Sequence, residues 1–236
     1  MKVKQLLFGG LLFAAFSTVA IQSQAQVEIG VRAGLNLNNV SYKDGGGDKW
    51  DTKINPGFHA GVTFDIPVAD EFYVQPGALF SVKGFKTTRS TDFLDYEGET
   101  RWNASYIEVP INFLYKPELG SGKLLLGAGP YVAYGIGGKA KFDDNISWEG
   151  GGASNSDEVK LQFVNDYNDG DDDKYSYAKP FDAGANLLVG YEFSNKFSAQ
   201  LNAQLGLANI EPKDDGEKPD AKFRNVGFGV SLGYKF

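Results

Sequence analysis

The chain has one histidine, His59, and no cysteine, and these counts limit the chemistry it can perform. Without thiols it has no disulfides, thiolate metal sites or cysteine nucleophiles. An acyl-transfer centre would need His59 as the base beside a positioned nucleophile. Gly61 lies two residues along the same strand face, so the serine would have to come from another strand, such as Ser231. The residues therefore predict no catalytic site, no cofactor and no enzyme, and a lipid-modifying enzyme is the least favoured alternative.

An acidic segment, 139–178, is the second feature that could do chemistry, because it carries ten acidic residues against four lysines. Ca²⁺ binds about six to eight oxygens of this kind. The spacing departs from the EF-hand pattern, however, since no glutamate closes the run. We therefore expect a solvated surface loop without a metal, and Ca²⁺ binding is the weaker alternative. Its candidate ligands are Asp166, Asp169, Asp171, Asp172 and Asp173.

Charged residues of both signs occur in segments whose apolar and polar residues alternate, and they take the polar positions of that alternation. Four of them lie at or near the middle of their segments, namely Arg32, Lys83, Glu108 and Asp182. Buried charges need partners of opposite sign. We predict that these four residues form a salt-bridged network that fills a narrow interior. A path for ions or protons is the alternative interpretation.

The elements that must position these residues show a period of two. Odd positions of 27–37 are apolar, and even positions are polar or glycine. Successive side chains of a strand point to opposite faces, so such a run has one apolar and one polar face. The pattern occurs in eight runs, at 27–37, 58–66, 74–83, 107–115, 126–134, 181–191, 199–207 and 225–236.

The runs and their connections predict a membrane barrel. Strands of about 9–11 residues suit a small outer-membrane barrel, and lipid requires a closed sheet. The gaps alternate between long and short, and the long ones are 38–56, 85–103, 138–178 and 209–224. We therefore predict an all-β fold, an eight-stranded antiparallel up-and-down transmembrane β-barrel with short periplasmic turns and long extracellular loops. Side chains should just fill the lumen of such a barrel.

The N-terminus predicts export. Lys2 and Lys4 precede an apolar run at 6–20, and small residues stand at Ser23 and Ala25. This is the layout of a secretory signal peptide, and the run is shorter than the roughly 20 residues of a spanning helix. We predict a cleaved signal at 1–25 and a barrel domain at 26–236, in the outer membrane of a Gram-negative bacterium. The net charge of -7 also disfavours nucleic acid as a partner.

Several stretches together resemble a known family. They are FYVQPGALFSVKG at 72–84, YIEVP at 106–110, LGAGPYVAY at 126–134, KPFDAG at 179–184 and the closing GVSLGYKF. The chain resembles the PorT-like outer-membrane β-barrel proteins, often labelled porin family or outer membrane protein β-barrel domain. The resemblance implies this fold and location, with outer-membrane lipid as the surroundings. Some members support type IX secretion, although no motif here points to that role.

The last residues resemble an assembly signal. Phe236 ends the chain and Tyr234 stands two positions earlier, as in the signal read by the barrel assembly machinery. For function we expect a monomer with a structural or interaction role, which meets protein partners through its extracellular loops. The alternatives are a small-solute porin and a component of a secretion assembly.

Overall fold

The structure, a computed structural model, describes residues 26–91, 96–148 and 151–236. The predicted signal peptide at 1–25 lies outside these residues. In the described ranges, no helix is long and apolar enough to cross a membrane. The elements are β1 (Glu28–Lys43), β2 (Lys53–Ala69), β3 (Phe72–Thr91), β4 (Tyr96–Tyr115), β5 (Glu118–Leu119), β6 (Gly122–Trp148), β7 (Gly151–Phe163), a 3₁₀ turn (Tyr167–Asp169), β8 (Tyr175–Ala178), β9 (Phe181–Glu192), β10 (Phe197–Gly206) and β11 (Lys222–Lys235).

Eight of these strands close into a ring. β1, β2, β3, β4, β6, β9, β10 and β11 each pair antiparallel with the next. β1 then pairs with β11, with Leu35 opposite Val230, so the sheet has no free edge along this path. Closure gives every strand of the ring a hydrogen-bonded neighbour on both sides, as the lipid environment requires. The predicted eight-stranded antiparallel barrel is confirmed.

The barrel has its apolar side chains outside and its polar side chains inside. Leu35, Phe113 and Leu232 are exposed on the outer surface. Asn112 and Asp182 point into the lumen and are buried. A water-soluble barrel would show the reverse arrangement, whereas an apolar exterior is typical of barrels in lipid. The alternation seen in the sequence therefore corresponds to lipid-facing and lumen-facing residues.

The strands continue well beyond the predicted runs at one end, which we call the long-loop end. The segment 138–178 was expected to be a loop, and this was wrong for most of its length. Strand β6 runs on to Trp148, β7 pairs antiparallel with that extension, and β8 pairs parallel with β7. Apolar positions continue the alternation here, since Ala140 and Leu161 are buried. Pairing also satisfies backbone groups that a loop would leave to water.

The opposite end, the short-turn end, has tight connections between β2 and β3, β4 and β6, and β9 and β10. Glu71 and Lys196 adopt positive φ angles of 64° and 68° in two of these turns. Such angles are uncommon outside glycine and occur where a turn requires them. The asymmetry predicted from the gap lengths is therefore present, with long connections at one end and short turns at the other.

The largest apolar core lies inside the barrel at the long-loop end. We call it the mouth core, and it comprises Val40, Ala104, Tyr106, Tyr131, Ala133, Ala140, Leu161, Tyr177, Ala178, Ile210 and Phe223. Tyr177 and Ala178 come from β8, and Ile210 comes from the connection between β10 and β11. These segments therefore contribute side chains to the mouth core together with the barrel strands.

Candidate functional site

Below the mouth core, a charged cluster crosses the lumen. Lys83 Nζ lies 2.8 Å from Glu108 Oε2 and 3.5 Å from Asp182 Oδ2, and all three residues are buried. The Tyr131 hydroxyl donates a hydrogen bond to Asp182 Oδ2 at 3.1 Å. The Lys83 ammonium lies 4.4 Å from the centroid of the Tyr131 ring. Strands β3, β4, β6 and β9 supply these side chains. We call Lys83, Glu108, Asp182 and Tyr131 the central network.

Arg32 is the fourth residue of the predicted network, and the structure places it apart from the other three. It is buried and lines a small lumen cavity of about 50 Å³ that Glu108 also lines. Within the described part of the chain it makes no ion pair within 4.0 Å. The structure thus joins Lys83 to both acids, while Arg32 lines the same small cavity as Glu108 without an ion pair to either acid among the described residues.

A second charged cluster lies at the short-turn end, and we call it the turn network. Lys116 Nζ lies 3.0 Å from Asp65 Oδ2 and 3.2 Å from Glu192 Oε2. Lys235 contacts Asp65, Glu192 and Glu28. Sequence reasoning missed Lys116 because it follows the last predicted residue of its run. The alternation itself could have found it, since even positions of β4 face the lumen.

His59 is held by a chain of polar side chains inside the lumen. Its Nε2 lies 2.9 Å from Ser231 Oγ, and its Nδ1 lies 2.8 Å from Asn36 Oδ1. These are the connections of a serine–histidine–amide triad. Asn202 donates to Ser231 Oγ at 2.6 Å. The cavity beside them has a volume of about 50 Å³, which suits a few water molecules rather than an acyl substrate.

The acidic candidates for Ca²⁺ do not converge in the structure. Asp166 caps the 3₁₀ turn by accepting from Asn168 N, and its other oxygen accepts from Gly216 N at 2.7 Å. Asp171 forms an ion pair with Lys174 at 2.6 Å. In the part of the chain that the structure describes, no three acidic or histidine residues are placed to hold a metal ion. The Ca²⁺ alternative for this segment stays an untested prediction.

An aromatic cavity of about 700 Å³ opens at the long-loop end, and we call it the mouth cavity. Trp102 packs on Tyr175 with ring centroids 4.7 Å apart, and Tyr42 packs on Trp50 at the same distance. Sequence reasoning missed this site because its residues come from β1, β3, β4, β6, β8 and β11 and from the connections between strands. The sequence signal was the set of aromatic residues in and beside the long gaps.

Glu211 lies at the wall of the mouth cavity and is largely buried. Tyr167 donates its hydroxyl to Glu211 Oε1 at 2.8 Å. Burial raises the pKa of the Glu211 carboxyl above its usual range, against the opposing effects of the Tyr167 hydrogen bond and of Lys179. The connection is held in place because Ile210 N donates to Phe223 O and Lys213 N donates to Asn165 O, both at 2.9 Å.

The two residues of the predicted assembly signal lie at the short-turn end. The Tyr234 ring centroid is 4.9 Å from that of Phe197 and 5.5 Å from that of Phe236. Phe236 N donates to Ile29 O at 2.9 Å, so the last residue is tied to β1. Exposed aromatic residues at one rim of a barrel are typical of the lipid–water interface. Recognition by the assembly machinery stays a prediction.

Comparison with solved structures finds barrels of the outer membrane. One of them is Ail, the attachment invasion locus protein of Yersinia pestis, solved in complex with a heparin analogue. It is 12% identical to this chain, the match covers 89% of this chain and 99% of that chain, and the TM-score is 0.39. Neisserial surface protein A is 10% identical over 89% and 99% of the two chains, with a TM-score of 0.35. No curated protein sequence matches the chain significantly.

A family model identifies the chain more directly. The outer membrane protein β-barrel domain matches residues 22–211, which is most of the sequence. The match includes the strands that supply Lys83, Glu108 and Asp182, and it agrees with the closed ring and the apolar exterior. The chain therefore belongs to the outer membrane protein β-barrel domain family.

Proposed function

We propose that this outer-membrane barrel does not conduct solutes and acts through the surface of its long-loop end. The observation that supports the proposal is the presence of three layers of side chains inside the barrel. The mouth core, the central network and the turn network follow one another along the barrel axis. An eight-stranded barrel leaves a lumen that side chains alone can fill.

The charged layers oppose an open pore for an energetic reason. Lys83 and Lys116 are almost fully buried, as are Glu108, Asp182 and Asp65, and each of these ammonium groups contacts buried carboxylates. Separating such a pair leaves an unpaired buried charge, which costs about 3–5 kcal/mol. A solute that crossed the lumen would have to break both layers and displace the mouth core. These costs favour an interaction role over the small-solute porin that remains the alternative.

The finer features of the proposal follow from the same arrangement. The long-loop end would face the outside of the cell, where its connections meet protein partners, and the short turns would face the periplasm. We further propose a monomer that is exported by a cleaved signal peptide and inserted by the barrel assembly machinery. Kinship with PorT-like proteins and a place in a secretion assembly remain predictions from the resemblance.

Single-channel recording tests the proposal. The mature chain would be refolded in detergent, checked by its different gel mobility with and without heating, and added to a planar lipid bilayer. We expect no conductance steps above noise. The matched control opens all three layers without leaving the central acids unpaired. It combines Tyr177→Gly and Ile210→Gly in the mouth core, Lys83→Met with Glu108→Gln and Asp182→Asn in the central network, and Lys116→Met with Asp65→Asn in the turn network. Its folded form should conduct if these layers seal the lumen. Reproducible steps from the folded wild-type chain would overturn the proposal.

We also propose that His59 and Ser231 serve packing rather than catalysis, because the adjoining cavity has no room for a substrate. Folded protein would be treated with a small fluorophosphonate, which labels activated serines. We expect no labelling that distinguishes the wild-type chain from Ser231→Ala. Labelling that requires both Ser231 and His59 would show instead that the serine is activated and accessible.

A further inference from the structure

The mouth cavity has the composition of a binding site for a positive charge. Among the described residues that line it, two are acidic, Asp51 and Glu211, and none is basic. Most of its wall consists of tyrosine, tryptophan and phenylalanine rings. Ring faces carry negative potential and attract ammonium groups, most strongly where water is excluded. The volume of about 700 Å³ also lies within the range of small-molecule sites.

Glu211 has the surroundings that such a site needs. Tyr167 donates to one carboxylate oxygen at 2.8 Å, and the charge of Glu211 acts on the hydroxyls of Tyr42 and Tyr175. The connection that bears Glu211 is fixed by backbone hydrogen bonds, so the carboxylate is held in place without a ligand. Lys179 is the basic residue whose charge acts on Glu211, but it makes no ion pair within 4.0 Å among the described residues.

We propose that the mouth cavity binds a small organic ammonium ion, with Glu211 beside the positive charge and the aromatic rings around the alkyl groups. This inference rests on the proposed function, because the cavity is useful for binding only if the long-loop end is the working surface. The acidic wall repels an anionic ligand. A neutral saccharide would leave the carboxylate without a counter-charge, so an ammonium ion satisfies the site more completely.

The shared chemistry is an alkylated ammonium group, and it has more than one source. It occurs in free choline, in the phosphocholine headgroup of a lipid and in a methylated lysine of a partner protein. Titration calorimetry with choline, phosphocholine and a trimethyllysine peptide compares these sources, and binding of any of them supports the proposal. The tightest ligand of the three identifies the source.

The decisive comparison uses choline and 3,3-dimethyl-1-butanol, which share a shape and differ in charge. The full mature chain would be folded in a detergent with an uncharged polyoxyethylene headgroup, so that the detergent does not compete. We expect choline to bind at least about tenfold more tightly than the neutral alcohol. Equal binding of the two compounds, binding of a neutral sugar in preference to choline, or no binding of any ammonium probe would overturn the proposal.

Variants locate the site. Glu211→Gln should weaken choline binding by about tenfold or more, whereas Glu217→Gln removes an exposed charge of the same connection and should leave it unchanged. Trp50→Ala removes an exposed ring and should weaken binding several-fold in a chain that still folds. Equal affinity of wild-type, Glu211→Gln and Trp50→Ala chains would place binding elsewhere and contradict the proposal. Because conductance is measured separately, failure here is distinguishable from failure of the proposed function.

Discussion

At the scale of single residues, the lumen is organised by charges that compensate each other. Lys83 sits between Glu108 and Asp182, and Lys116 sits between Asp65 and Glu192. In each cluster one ammonium group contacts carboxylates from different strands. These contacts tie strands together across the barrel interior, and they make the contribution of one residue dependent on its partners.

Lys83→Met should strongly destabilise the barrel because it leaves Glu108 and Asp182 buried without a counter-charge. The expected loss in the free energy of unfolding is about 3–5 kcal/mol. Urea unfolding of the protein in lipid vesicles measures it. The variant that also carries Glu108→Gln and Asp182→Asn removes the whole charge set, so it should lose less. A triple variant less stable than Lys83→Met would contradict this account.

Glu211 should make stability depend on pH. The pKa of the Glu211 carboxyl is raised above its usual value of 4.5 in the folded chain. The protonated carboxyl therefore stabilises the folded state fully below pH 4.5, and this stabilisation is lost as the pH rises through the raised pKa. Tyr42, Tyr167, Tyr175 and Lys179 are the titratable groups that act on it. In Glu211→Gln this part of the decline should be absent. The measurement compares the unfolding midpoints of the wild-type and Glu211→Gln chains between pH 4 and pH 7. Identical profiles would refute the prediction.

At the scale of elements, the seam between β1 and β11 decides whether the sheet closes. Gly34 lies at this seam, and a Cβ there would lie 2.2 Å from Val230 O and 2.7 Å from His59 Cε1. The first contact is with a backbone oxygen, so no flexible side chain can move to relieve it. The glycine thus allows the His59 ring and the closing strand to occupy the same small space.

Gly34→Ala should therefore lower the folded fraction. Overpacking of this kind costs about 1–3 kcal/mol. The fraction that migrates as folded protein on an unheated gel reports the effect. Gly46→Ala is the matched control, because a Cβ there meets nothing closer than 3.4 Å. Equal folded fractions for the two variants would show that the seam tolerates a methyl group.

At the scale of the whole molecule, the apolar exterior couples the fold to lipid. Leu35 is 70% exposed near the middle of β1, whereas Val68 is exposed beside the turn between β2 and β3. The cost of a charged residue on the lipid face depends on its depth, from about 2–4 kcal/mol at the midplane to about 0–1 kcal/mol near the interface. The position of each residue along the strand therefore predicts its sensitivity.

Leu35→Arg should destabilise the barrel in vesicles by about 2–4 kcal/mol, and Val68→Arg by no more than about 1 kcal/mol. The free energy of unfolding from lipid vesicles is the measurement. A larger loss for Val68→Arg would mean that the membrane lies elsewhere on the barrel than the apolar band indicates.

The sequence alone determined the fold class because the period of two is a local property. Each run carries its own apolar and polar faces, and lipid admits only a closed sheet of such runs. The inward position of Lys83, Glu108 and Asp182 followed from the same alternation. A short apolar stretch at 161–164 indicates a strand extension, but the extensions at 139–148 and 151–160 were not predicted because glycines and acids interrupt the apolar pattern there.

Only the tertiary structure decided which residues meet across the lumen. The contacts of Lys83 with Asp182 and of His59 with Ser231 depend on the stagger of strands distant in sequence, and alternation carries no information about register. The mouth cavity is a further case, since Tyr42, Trp102, Tyr175 and Glu211 come from separate segments. They converge because the long connections pack against the strands at the long-loop end. The residue pattern within any one segment does not predict these contacts between segments.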